Sequence, residues 1–154
     1  MSVASLLGAE FQDVVYKTGP ARFRAGDSIQ IESVRSTGSK LRVGETIEVA
    51  GTYHLSSRPA AKISVFVTQT EGDGRSQILP GQEQVIREGA GAFELRIDVR
   101  HAGYLHVSFY PRDGGSSFGG VYFGKGKQMN AIEDWTLDWY VKDDAVGRDT
   151  TRPQ

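Results

Sequence analysis

The chain has 154 residues, a length suited to one domain built on a single core. Lys and Arg total 18 against 19 Asp and Glu, so a net charge of −1 gives no electrostatic footprint for nucleic acid. Cysteine is absent, which excludes disulfides, zinc-thiolate sites and thiol catalysis, and inclines the reading toward a reducing, cytoplasmic compartment.

Residues 3–17 are ambiguous. Leu7, Phe11, Val14 and Val15 follow helical spacing, which favours a short helix or lid over an extended arm; residues 18–20 (TGP) end it. Asp27 to Val34 reads as the first strand, with Ile29 and Ile31 inward. After the turn at 36–40 comes the most regular signal, Thr46 to Leu55. Ile47, Val49, Tyr53 and Leu55 fall on one side of a two-residue repeat, and Thr46, Glu48, Thr52 and His54 on the other. Residues 56–60 (SSRPA) read as a turn. Lys62 to Thr70 follows as a strand with Ile63, Val65 and Val67 inward and Phe66 on the other face.

Loops are expected at 71–75 and 79–81, then a short strand from Glu83 to Glu88, and a hairpin closed by residues 89–92 (GAGA). Phe93, Leu95, Ile97 and Val99 then alternate with Glu94, Arg96, Asp98 and Arg100. Tyr104 to Tyr110 repeats the pattern with Leu105, Val107 and Phe109 inward. A Gly-rich loop over 113–120 leads to a short strand at 121–123, and residues 128–131 carry no helix signal. Trp135, Leu137, Trp139 and Val141 mark a last strand, and residues 143–154 a polar tail.

About eight strands with regular turn spacing predict an all-β, antiparallel β-sandwich: one domain over residues 1–142, with its core in 27–124. Residues 43–53 (VGETIEVAGTY), then a strand, then residues 91–99 (GAFELRIDV) resemble immunoglobulin-like or fibronectin type III-like bacterial domains over roughly residues 27 to 124. That resemblance implies an immunoglobulin-like sandwich and no particular activity. Without cysteine there is no antibody-type Cys–Trp–Cys core.

No basic-then-apolar leader opens the chain, no stretch approaches about 20 apolar residues, and Asn130 begins no glycosylation sequon. The initial Met and the absence of linker-like flanks favour a whole protein. Of the chemistry-bearing patterns, His101 and His106 with Asp98, joined by the outward His54, form a weak candidate metal site or small enzyme site. GKGK at 124–127 lacks the spacing of a phosphate loop, and Ser116 and Ser117 lack a nucleophile elbow. Six glycines between Gly114 and Gly126 are interleaved with Phe118, Tyr122 and Phe123, just downstream of Tyr110, Arg112 and Asp113. Aromatics set on a rigid scaffold anchor protein interfaces or stack on sugars, and otherwise plug the end of a core. Trp135 and Trp139 belong to an interface or to the core.

Cations gather at Lys17, Arg22, Arg24, Arg35, Lys40 and Arg42. Carboxylates gather at Glu133, Asp134, Asp138, Asp143, Asp144 and Asp149. These two regions have the charges to pair within one molecule or between copies. The expected function is therefore a non-catalytic protein-binding or self-assembly module without a cofactor. A carbohydrate-binding module built on Tyr110, Arg112, Asp113, Phe118, Tyr122 and Phe123 is the alternative.

Overall fold

The computed structural model describes residues 10–69 and 78–131. Among the described residues, seven strands form one antiparallel, curled sheet: β1 (Gln12–Asp13), β2 (Lys17–Arg22), β3 (Ser28–Ser36), β4 (Thr46–Gln69), β5 (Glu83–Asp98), β6 (Gly103–Tyr110) and β7 (Gly119–Gly124). A short helix, α1 (Gly126–Ala131), follows. The strand order is β1-β3-β4-β6-β7-β2, with β5 paired to β4. The all-β expectation therefore holds. The predicted last strand at Trp135–Val141 and the polar tail lie outside the described residues.

Alternation builds the core as expected. Ile47, Val49, Leu55, Ile63, Val65, Val107 and Phe109 are fully buried, and Phe93, Leu95, Ile97 and Val99 join them. In β3 the register shifts between Ile31 and Ser33. That irregularity moves the inward set by one position, so Val34 is buried with Ile29 and Ile31.

Two predicted chain reversals are bends inside continuous strands. The segment 56–60 does not turn the chain. Residues 46–55 pair with β3 and with the second half of β5, whereas residues 62–69 pair with β6. The register against β5 shifts between Leu55 and Ala60. Asp27 fixes this bulge: its buried carboxylate accepts from the Ser56 amide (2.7 Å), the Ser57 amide (2.9 Å) and the Ser57 hydroxyl (2.6 Å). Pro59 donates no amide, which suits an interrupted ladder. Likewise residues 89–92 close no hairpin. Gly89 stands opposite Leu55 with φ of 111°, a conformation that favours glycine and lets β5 bend with β4.

The bend brings distant parts of β5 together. The Gly81 carbonyl accepts from the Arg96 amide (2.8 Å), and the Gln84 side chain donates to the Ala92 carbonyl (3.1 Å). Gln82, itself buried, donates from Nε2 to Val65 O (3.0 Å). The opposite margins are laced by residues 10–22. β1 pairs with β3, the Val14 amide donates to Val34 O (3.2 Å), and β2 pairs with β7. Residues 10–17 are thus an extended arm and not the helix or lid their spacing suggested: Phe11, Val14 and Tyr16 each find partners across the fold, which outweighs a weak local period. Residues 3–9 lie outside the described residues.

α1 also departs from expectation, since residues 128–131 belong to it. Tertiary packing explains it. Met129 is buried against Gly19, where any β-carbon would meet its sulfur, and Gln128 Nε2 donates to Gly103 O (2.8 Å).

Candidate functional site

The rings expected as contacts are not exposed. Phe118 is buried, stacked on Phe109 with centroids 5.5 Å apart, and the Arg58 guanidinium lies 3.7 Å over its centroid. Phe123 is fully buried, paired with Thr18 on β2 and Leu105 on β6. Tyr122 is buried on the opposite face of β7, packed edge-on against Tyr104 (6.1 Å) and His106 (5.4 Å). The strand expected at 121–123 extends over 119–124 and is buried along its whole length, on both faces. Tyr110 keeps part of its surface and meets Phe66 edge-on at 5.4 Å. Burial, then the nearby Tyr122, push its hydroxyl well above the ordinary tyrosine range. Arg112 and Asp113 are exposed in the turn closed by the Gly114 amide on Pro111 O (3.1 Å). Trp135 and Trp139 lie outside the described residues.

The three histidines do not converge. His54 is exposed and donates from Nδ1 to Gly26 O (2.7 Å). His106 is buried and shares a hydrogen bond with Ser108 Oγ (2.7 Å); burial pushes its pKa down to about 4. His101 lies in the turn after β5, and Asp98 accepts from Thr46 Oγ1 (2.8 Å). Among the described residues no group of three His, Asp or Glu side chains is placed to hold a metal ion.

A different site emerges where the two margins of the sheet meet. The β3–β4 connection is tied tightly. Thr37 Oγ1 donates to Glu45 (2.7 Å) and accepts from the Thr46 amide (3.0 Å), Ser36 Oγ donates to Lys40 O (3.2 Å), and the Gly44 amide donates to Val99 O (2.9 Å). Side-chain and turn bonds of this kind hold a loop without a regular ladder. They fix Lys40, Leu41, Arg42 and Val43 at the surface. Two clefts adjoin there and share Leu41 as a wall. One, of about 210 Å3, lies against Val43, Val99, His101, Leu105 and Gln128. The other, of about 350 Å3, lies between Val15, Lys40 and Lys125.

Val15 is 96% exposed and Val43 50% exposed, so the groove offers apolar surface to solvent. None of the described residues lining either cleft is acidic, while Lys40, Arg42 and Lys125 are cationic. Arg42 is paired with Glu45 (3.3 Å), which leaves the lysines as the groove's main field. The arrangement can accept bulky apolar side chains flanked by carboxylates. No sequence pattern assigns Val15, Leu41, Val43 or Lys125 a site role. Their one visible signal is an apolar pair, Leu41 and Val43, inside a segment rich in turn residues.

No family model, curated protein or solved structure matches the chain. Among the described residues no helix is long and apolar enough to cross a membrane.

Proposed function

We propose that the chain is a non-catalytic binding module, an immunoglobulin-like sandwich in which the bent β4–β5 pair forms the corner, and that it holds an acidic, apolar segment of a protein in the groove around Leu41. The observation that carries this reading is the union of two adjoining clefts, exposed Val15 and Val43, and a lysine rim with no carboxylate among the described lining residues, built around a loop fixed by its own hydrogen bonds. A preformed loop lowers the ordering cost of binding. A carbohydrate site on the downstream aromatics has less support, because Phe118, Tyr122 and Phe123 have little surface to offer a sugar ring.

The test is fluorescence anisotropy of the full chain with a labelled synthetic peptide in which Asp alternates with Trp and Leu. Saturable binding that weakens at least tenfold in the double variant Lys40→Glu, Lys125→Glu supports the reading; tenfold corresponds to about 1.4 kcal/mol. Absence of binding, or binding indifferent to both substitutions in a variant that keeps its thermal midpoint, refutes it.

A further inference from the structure

The groove's chemistry has a counterpart in the chain's own sequence. Residues 133–149 carry Glu133, Asp134, Asp138, Asp143, Asp144 and Asp149 against only Lys142 and Arg148. The same stretch places Trp135, Leu137, Trp139 and Val141 at alternate positions, which an extended chain presents on one side. Two tryptophans four residues apart stand about 13 Å from one another on such a chain. The groove offers two clefts, one of about 210 Å3 and one of about 350 Å3, on either side of Leu41. Its lysines supply the complementary charge.

We infer that the occupant of the groove is the acidic, tryptophan-bearing segment 133–149 of a second copy, so that copies associate head to tail. This rests on the groove being a binding site at all. A second copy is favoured over the same one by the connection. Gly126 and Gln128, in α1, line the clefts, and α1 carries the chain onward to Ala131. Only Ile132, Glu133 and Asp134 then separate α1 from Trp135, a short link between the helix that lines the clefts and the first tryptophan. Such a contact closes into a two-fold dimer if two copies exchange segments, and otherwise yields a larger ring or an open chain of copies.

Sedimentation velocity on the full chain, from low micromolar to millimolar concentration, tests this. Mass rises with concentration at low salt and falls back as salt is raised. The variants Lys40→Glu, Lys125→Glu and Asp143→Lys, Asp144→Lys each sediment as monomers, and an equimolar mixture of the two regains association, because the unaltered groove of one variant meets the unaltered segment of the other, and the reversed groove meets the reversed segment. Regained association in the mixture cannot arise from misfolding. A wild-type chain that stays monomeric throughout overturns the inference, as does association that neither double variant weakens. If the acidic peptide binds the groove while the chain stays monomeric, the second copy is the wrong occupant and the groove reading stands. If the peptide does not bind, both fall.

Discussion

Glu48 lies on the side of β4 that the alternation assigns to solvent, yet only 4% of its side chain is exposed. Arg35 and Arg96 both pair with it, Arg96 at 3.2 Å, and the Phe11 ring packs on the two guanidinium groups at 5.5 and 4.7 Å. The hydrogen bond that Arg35 donates to Glu48 raises the Arg35 pKa above its ordinary value. Both arginines keep solvent contact, so Glu48→Gln strands no buried cation and costs about 1–3 kcal/mol, less than a deeply buried pair. Urea midpoints check it, and an unchanged midpoint contradicts the clasp.

His106 makes the residue scale pH-dependent. An imidazole in water titrates near 6.5, whereas burial holds His106 at about 4. Between these values the unfolded chain binds a proton that the folded chain refuses. Its contribution is therefore intact above about 6.5 and is lost as pH falls toward 4, by at most about 1.4 kcal/mol per pH unit. Chemical denaturation at neutral pH and near pH 5, with His106→Gln as reference, measures it. The wild type loses more stability on acidification than the variant; parallel profiles contradict the assignment.

At the scale of elements, β4 and β5 set the shape, and the hinge of that shape is local. Asp27→Ala removes three hydrogen bonds from the bulge at 56–57 and costs about 2–3 kcal/mol. It also speeds amide exchange around Ser56 and Ser57 beyond what the global destabilisation accounts for. Exchange that accelerates uniformly across the sheet contradicts a local role. Single alternating runs such as 93–99 and 105–109 were legible because each carries one row of large apolar side chains. The continuity of β4 and β5 was not, because Pro59 and Gly89 look alike whether they end a strand or bend it. Nor was the burial of His106, Ser108 and Tyr122, whose residue types match a wet face.

At the scale of the molecule, the groove draws on residue 15, residues 40–43, the 99–105 turn and residues 125–128. No local pattern joins these segments; only closure of the sheet by the arm at 10–22 does. That is why the sequence pointed to aromatic residues near 118–123, which the fold uses as core, and left the binding surface unmarked. Of the basic region read from the sequence, Lys40 and Arg42 line the groove, and Lys125, from outside that region, joins them. We propose this groove as the contact surface. The most direct measurement is an amide-shift map of the isotope-labelled full chain, taken from dilute to concentrated at low salt. The account predicts concentration-dependent shifts at Leu41, Val43, Gly103 and Lys125, reversed by salt. Shifts confined to another face, with these four unmoved, contradict it.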